Sequence, residues 1–399
     1  MNGQKTLPGI REDLLAIREE LFDIRHDIHA HPELSLYETR TAGVIRRELE
    51  KDGLTWKAVH DTGTVAELKG AAPGPTVILR ADIDALPINE KSDYPYRSEN
   101  ENVMHACGHD VHLTALIGAA RLLSRYRDSL RGNVRFIFQQ AEEFGHGSQF
   151  FLNEGYEKGA ERIYGFHVSP EAELGKLILS DDVDAASCDY MHIKLYGKGS
   201  HISKPHLGND ALLAATEIVT ALSKLKNRLN PMDKSLIGIG HLTAGNAWNV
   251  VADSAEIEGT VRTLSMDVRS RLLVNIKETV DRSASLYDVK AETEFELFTP
   301  TLVNDPDAYK TMYKAASEAV GAENIIKQPV PLGFGGDDFA AFSQTVKGCF
   351  IHVGTGTEER PDSKVPLHSD NIYIPDEAVL IGSEILVRCA LKNLYEGDI

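Results

Sequence analysis

Two histidines, a cysteine and an aspartate lie within six residues in the stretch HACGHD, residues 105–110. Cys107 and His109 are two residues apart, so in an extended segment both side chains would face one point. An apolar helix is predicted to begin near Val111, and the positive end of its dipole would favour a thiolate. A disulfide, a redox thiol, a nucleophile or a metal site could each use this stretch. A lone cysteine near a histidine is more often structural.

Three further stretches carry residue types that bind metals. Glu142 and Glu143 follow the apolar run NVRFIFQQ, His167 ends the run RIYGF, and His368 lies in KVPLHSD. Taken singly, each is more typical of a solvated loop or a satisfied core histidine. Together with Cys107 and His109 they form a mixed sulfur, nitrogen and oxygen set, which suits zinc, manganese, cobalt, nickel or iron better than magnesium or calcium.

The size of this set indicates two metals, because one thiol, three imidazoles and a carboxylate exceed the four ligands of a structural zinc site. Glu142 is then left over as a carboxylate beside the ligands. A free carboxylate next to an activated water is what a metal-assisted hydrolase requires. The combined pattern therefore favours hydrolysis over a structural metal site.

Apolar runs that alternate with helices must position these residues. Such runs predict buried strands of an α/β sheet. Each run ends in polar residues, and ligands of open α/β sheets bind beyond the carboxyl ends of the strands. We therefore expect several strand ends to contribute residues to one site. The runs are PTVILRADID, NVRFIFQQAEE, RIYGFHV and GCFIHVGTG.

Two helices are predicted near the amino terminus. Apolar residues recur in steps of four and three from Ile10 to Ile28, which predicts one amphipathic helix that Pro32 ends. A second helix is predicted from Thr39 to Lys51, with Gly53 as its carboxy-terminal cap.

The middle of the chain has a different organisation. Alternating and helical patterns follow the order βαββαβ, which is the ferredoxin-like arrangement. The first kind of pattern resumes afterwards, so this segment is predicted to be an inserted domain. The expected division is 1–183 for the first part of a catalytic domain, 184–297 for the insert and 298–399 for the second part.

Composition narrows the function classes. The chain has 399 residues and a net charge of −18, which disfavours nucleic acid and anionic membranes as partners. We expect neither a signal peptide nor a membrane span. Its four cysteines are scattered without a C-x-x-C pair, which argues against a disulfide framework and favours a reducing cytoplasm.

Ordered motifs over nearly the whole chain resemble one family. RHDIHAHPELSLYETRTA, RADIDALPI, MHACGHDVH, QAEE, GFHV, GKGSHISKPH, NVVADSAEIEGTVRT and LHSD follow in its expected order. The chain thus resembles the amidohydrolase branch of the aminoacylase and carboxypeptidase metallopeptidase family. That branch includes hippurate hydrolases, auxin-conjugate hydrolases, N-acyl-amino-acid amidohydrolases and N-acetyl-diaminopimelate deacetylases.

The resemblance implies a mixed-sheet α/β catalytic domain of the zinc-peptidase type, with the insert as a lid and a homodimer surface. It also implies two divalent metal ions, zinc or manganese before cobalt, nickel or iron. A further implication is a role for each of several residues. These are Cys107, His109, Glu143, His167 and His368 as metal ligands, Glu142 as general base, His201 in substrate or transition-state binding, Asn249 and Arg262 at the substrate carboxylate, and Asp84 behind a ligand imidazole.

Three positions depart from the family pattern. Gln140 stands where proline is usual, Ser200 replaces a glycine before His201, and Asp337 stands where glutamate is common. None of them removes an implied ligand or the base. They bear on pocket shape and therefore on substrate choice.

The expected function is metal-dependent hydrolysis of N-acyl amino acids to a carboxylic acid and a free amino acid. Three alternatives stay open. They are a metallo-carboxypeptidase or dipeptidase using the same site, a binding protein that has lost its metals, and a papain-like thiol enzyme. The last lacks the signature around Cys107 that such enzymes carry.

Overall fold

The structure is a computed structural model that describes residues 9–328, 331 and 333–395. The described residues form two compact units. The first unit takes those within Met1–Asp184, Val303–Val330 and Ala341–Ile399, and the second takes those within Ala185–Leu302 and Pro331–Ala340. The predicted domain boundaries at 184 and 297 remain a proposal. The second unit has residues 298–302 and 331–340 in addition.

The helices are numbered in chain order. They are α1 (Ile10–Leu15), α2 (Arg18–Ala30), α3 (Thr39–Lys51), α4 (His109–Arg125), α5 (Gly147–Glu154), α6 (Ala211–Leu225), α7 (Met266–Ser285), α8 (Pro306–Val320), α9 (Phe339–Ser343) and α10 (Glu377–Leu394). Among these described helices, none combines the length and apolar composition that crossing a lipid bilayer requires.

The strands are numbered in the same way. They are β1 (Trp56–Val59), β2 (Gly63–Lys69), β3 (Ala72–Asp82), β4 (Arg131–Gln139), β5 (Ala160–Glu173), β6 (Leu177–Leu179), β7 (Val183–Ala185), β8 (Ser187–Tyr196), β9 (Ser235–Ala244), β10 (Ser254–Thr263), β11 (Lys290–Thr299), β12 (Leu302–Val303), β13 (Ile325–Lys327) and β14 (Lys347–Gly356).

An eight-stranded mixed sheet organises the first unit, in the order β1-β2-β4-β3-β5-β14-β6-β13. Its four central strands, β4, β3, β5 and β14, run parallel. Their carboxyl ends therefore point to one edge, where Asp82 is opposite Gln139. His167 is opposite His352, but β5 and β14 continue to Glu173 and Gly356, so the predicted strand end at His167 is wrong. The predicted α/β class with a mixed sheet is confirmed.

The surroundings of helix α4 explain why most of the sequence after HACGHD is apolar. Every residue from His109 to Leu123 is buried. The helix packs against β3 on the sheet and against α10, α2 and α3. A helix enclosed on all sides has no solvent-exposed face, and its first turn starts within the core beside the strand ends.

The amino-terminal prediction was wrong in one respect and right in another. The predicted single helix from Ile10 to Ile28 is two helices, because the N–H of Ile17 bonds to the carbonyl of Leu14 at 3.1 Å and this tighter turn ends the α-helical ladder. The apolar side chains stay buried through the break. Helix α3 has its predicted bounds, and Gly53 follows it with φ 71°.

The second unit has the predicted βαββαβ order, formed by β8, α6, β9, β10, α7 and β11. Its antiparallel sheet has the order β11-β8-β10-β9, with β9 at one edge. Asp210 caps α6 and Ser265 caps α7 through their side-chain oxygens. The buried alternation of Met191, Ile193 and Leu195 on β8 forms the core of this unit with both helices.

Candidate active site

Cys107 and His109 lie together, but not in the expected extended segment. Gly108 between them has φ 83°, so a left-handed turn brings the two side chains together, and His109 is already the first residue of α4. A Cβ at Gly108 would lie 2.5 Å from Val168 and 2.9 Å from Ile374. Only glycine fits this turn, both for its backbone angle and for its space.

The Cys107 thiol contacts two predicted ligands that are distant in sequence. Its Sγ lies 3.4 Å from Nε2 of His167, on β5, and 3.3 Å from Nε2 of His368. His368 has φ 68°, and its N–H donates to the carbonyl of Ala106 at 3.0 Å. A left-handed non-glycine residue is strained and needs such a bond to persist.

The loop after β4 presents both glutamates. Ala141 has φ 54°, and its N–H donates to Oε1 of the buried Glu38 at 2.9 Å. The N–H of Glu143 donates to Oδ2 of Asp84 at 3.0 Å. One ligand atom each of Glu142, Glu143 and His109 lie within 4.8 Å of one another. Two backbone bonds therefore fix a strained loop whose side chains enter the cluster.

Asp84 sets the orientation of the His109 ring. Nδ1 of His109 donates to the backbone oxygen of Asp84 at 2.9 Å and to its Oδ1 at 3.2 Å. The hydroxyl of Ser35 donates to Oδ2 at 2.7 Å. With Nδ1 carrying the proton, Nε2 of His109 is the acceptor nitrogen, and it lies 3.9 Å from Oε1 of Glu143.

These donors fit a metal centre. Nε2 of His109 and Oε1 of Glu143 are buried and neither makes a hydrogen bond, which is costly unless something else binds them. Cys107 falls into two groups whose ligand atoms lie within 4.8 Å, one with His109 and His167 and one with Glu143 and His368. A shared thiolate with nitrogen and oxygen donors on both sides suits a pair of borderline divalent ions.

Electrostatics differ among the predicted ligands. Although burial lowers the pKa of His109, the carboxylate of Asp82 and the Cys107 sulfur hold it well above its usual range. Burial raises the pKa of the Cys107 thiol well above its usual range, and the Glu143 carboxylate raises it further. Burial lowers the pKa of His167, and the neighbouring His112 lowers it further. A neutral imidazole is the ligand form of histidine, whereas the thiol requires a cation to ionise at neutral pH.

Three predicted residues belong to the second unit. His201 is exposed, and its Nδ1 accepts from the hydroxyl of Ser203 at 2.8 Å. The N–H of Ile202 donates to the carbonyl of Asn249 at 3.0 Å, so the segments of His201 and Asn249 lie side by side. Both predicted substrate contacts therefore come from adjacent backbone segments.

Arg262 lies on β10 of the same unit. Its neighbour Val261 is fully buried, while Arg262 is half-buried, as strand alternation predicts. Its Nη1 donates to the carbonyl of Phe334 at 2.9 Å, and its Nε donates to Thr260 Oγ1 at 3.3 Å. Arg262 thus holds the segment that carries Asp337.

Sequence reasoning missed residues that lie directly behind the ligands. Asp82 and His112 are fully buried beside His109, and their ligand atoms lie within 4.8 Å of its ring. Spacing could have pointed to both, because Asp82 ends β3 two residues before Asp84 and His112 is three residues after His109 on a helix. Glu38, beneath the glutamate loop, had no such signal.

Comparison with known proteins agrees with this geometry. The model of the family described as peptidase family M20/M25/M40 matches residues 78–392. The chain is 36% identical over 383 residues to the N-acetylcysteine deacetylase of Bacillus subtilis, covering 94% of this chain and 97% of the relative. It is 33% identical over 406 residues to the IAA-amino acid hydrolase ILR1-like 4 of Arabidopsis thaliana, covering 99% and 91%.

A solved structure gives the same result for the fold. The YXEP protein of Bacillus subtilis, described as a dinuclear metal binding peptidase from the M20 family, matches with a TM-score of 0.82 and 33% identity, over 95% of this chain and 98% of that chain. The family match and these identities cover most of the chain. The chain therefore belongs to peptidase family M20/M25/M40 and is a metal-dependent hydrolase.

Proposed function

We propose that this protein hydrolyses the amide bond of N-acyl amino acids, releasing a carboxylic acid and a free amino acid. One observation carries the proposal: five side chains of metal-binding types, from four separate segments, converge near the end of a parallel sheet, and Nε2 of His109 is buried there without a hydrogen-bond partner. The deacetylase and amino-acid hydrolase relatives support the substrate class.

The ligands of two divalent ions would be Cys107, His109, Glu143, His167 and His368. Cys107 belongs to both ligand groups, so it would help to hold either ion. When bound, such ions lower the pKa of a water and polarise the carbonyl that it attacks. We propose zinc or manganese on the chemistry of the donors, because a thiolate with imidazoles disfavours magnesium and calcium.

Glu142 would be the general base. Its carboxylate lies within 4.8 Å of ligand atoms of His109 and Glu143, while the loop that carries it is fixed through Ala141 and Glu143. Glu142 takes a proton from the water as the water oxygen adds to the carbonyl carbon. It returns that proton to the nitrogen as the carbon–nitrogen bond breaks, so no net proton is gained.

The second unit would recognise the substrate. A guanidinium has five N–H donors, so the bonds from Arg262 to Phe334 and Thr260 leave further donors to hold an α-carboxylate. Asn249 would contact the same carboxylate, and His201 would stabilise the developing oxyanion.

We also propose a homodimer formed through the second unit. Several large apolar side chains there are exposed, among them Trp248 at 91%, Leu213 at 46% and Leu212 at 41%. Exposed apolar side chains mark a protein interface where they are contiguous. The cytoplasm is the proposed location, since Cys107 must remain a reduced thiol.

The test compares two adjacent carboxylates on metal-reconstituted enzyme. Glu142→Gln should keep its metal content while turnover of N-acetyl amino acids falls by about 10²–10⁴. Glu143→Gln should lose metal by elemental analysis. The reverse pattern would exchange the two roles. Full activity of the chelated wild-type enzyme would refute the proposal, and faster turnover of dipeptides than of N-acetyl amino acids would favour a peptidase.

A further inference from the structure

The sheet opens between β3 and β5 just before the candidate metal centre. The two strands are paired as far as Leu79 and Tyr164, three residues short of Asp82 and His167. Beyond that point the N–H of Val168 donates to Nε2 of His112, at 3.0 Å, from the first turn of α4. A helix side chain therefore bonds to the backbone of β5 where the pairing with β3 has ended.

This contact fixes the tautomer of His112. A backbone N–H can only donate, so Nε2 accepts and the ring proton is on Nδ1. Nδ1 in turn donates to Oδ1 of Asp82 at 2.6 Å. Burial lowers the pKa of His112, in keeping with a neutral ring.

Asp82 is fixed from its other side. Nη1 of Arg80 donates to Oδ2 of Asp82 at 2.8 Å, and Nε of Arg80 donates to Oε1 of Gln139 on β4 at 2.9 Å. The four side chains that these hydrogen bonds connect, those of Gln139, Arg80, Asp82 and His112, are each at most 1% exposed. Because both nitrogens of His112 are in use, His112 has no free nitrogen to bind a metal despite lying beside His109.

The same backbone segment orients His167. Nδ1 of His167 donates to the carbonyl of Val168 at 2.7 Å, which leaves Nε2 directed at Sγ of Cys107, 3.4 Å away. The N–H of Val168 therefore donates to His112, and its carbonyl accepts from His167. A shift of this residue would move a predicted ligand nitrogen.

We propose that His112 is a positioning residue that ties Asp82, at the end of β3, to Val168 and so fixes the ring of His167 for metal binding. Insofar as His167 is a metal ligand, this rests on the proposed function. The proposal concerns a residue that neither touches the substrate nor binds metal. Its removal should nevertheless lower the affinity of the protein for metal. Hydrogen-bonded partners behind metal ligands typically contribute 10–100-fold to metal affinity.

The first experiment measures metal affinity by competition with a chromophoric chelator. His112→Phe keeps a ring but loses both bonds, and we expect the affinity for the weaker-bound ion to fall 10–100-fold. His112→Gln can still accept and donate, and should recover most of that affinity. Leu116→Ala, a buried change on the same helix, should lower the melting temperature without lowering the affinity. Equal losses of affinity in His112→Phe and Leu116→Ala would overturn the proposal.

The second experiment needs no metal. Nitrogen-15 histidine spectra of the chelated protein should show the Nδ1–H tautomer for both His112 and His167, and His112→Phe should turn His167 into a mixture of tautomers. An Nε2–H tautomer at His112, or an unchanged His167 in the variant, would overturn the proposal. If the wild type bound no metal, the proposed function would fail while these spectra would still decide the positioning role.

Discussion

Replacing Asp84 with asparagine is the most informative single change to the centre. Asp84 is buried and accepts from the His109 ring, the N–H of Glu143 and the hydroxyl of Ser35. Although burial raises the pKa of Asp84, the hydrogen bond from His109 and that from Ser35 bring it below its ordinary value. The residue therefore acts as a carboxylate with two accepting oxygens.

Asparagine has nearly the same shape but one accepting oxygen. If its oxygen faces His109, its NH₂ group meets the N–H of Glu143, and one buried donor is left unpaired at about 1–3 kcal/mol. If it is turned around, the NH₂ group meets Nδ1–H of His109 instead. In either orientation, a segment that carries a predicted metal ligand loses a hydrogen-bond partner. Metal affinity should therefore fall by about 10–100-fold, which is about 1.4–2.7 kcal/mol.

The assay is chelator competition on the loaded enzyme, with denaturant unfolding of the metal-free protein beside it. Ser35→Ala is the matched control, because it removes one bond to the same oxygen and should change stability by about 1 kcal/mol without changing metal affinity. The reasoning is refuted if Asp84→Asn binds metal within threefold of wild type, or if Ser35→Ala loses as much affinity as Asp84→Asn.

Three other changes have defined outcomes. Gly108→Ala places a Cβ 2.5 Å from Val168 in a residue with φ 83°. It should lower the free energy of unfolding by about 1–3 kcal/mol and should also lower metal affinity. Unchanged affinity would contradict the role of this turn in placing Cys107 and His109. Burial raises the pKa of Glu38 from 4.5 to about 7, so its protonated form stabilises the fold below pH 4.5 and this stabilisation is lost as pH rises through about 7. Glu38→Gln should therefore be more stable than wild type at pH 8, by up to about 3 kcal/mol, with a flatter melting-temperature profile between these pH values; parallel profiles would refute this. Arg262→Ala should lower kcat/KM for an N-acyl amino acid by about ten- to hundredfold and much less for the matching amide, since a hydrogen bond to a charged group contributes about 1.5–3 kcal/mol; equal losses would make Arg262 structural.

The sequence alone was sufficient for the fold class and for the residue types at the centre. Strand and helix periods are local, so the βαββαβ order and the strands that end at Asp82 and Gln139 could be predicted from their own stretches, whereas the strand that carries His167 continues to Glu173. The chemistry of thiol, imidazole and carboxylate donors is also a property of residue type. That was enough to predict metal-dependent hydrolysis, and membership of the family confirms a metal-dependent hydrolase.

Tertiary structure decided how those residues meet. The space that restricts position 108 to glycine is set partly by Val168, 60 residues away in the chain, and the strained Ala141 depends on the carboxyl group of Glu38. The tautomer of His112 follows from a single N–H on another strand. Such partners come together only because parallel strands and their crossover helices bring distant segments to one sheet edge. The periodicity of a single segment does not predict which polar atoms of other segments will lie next to it.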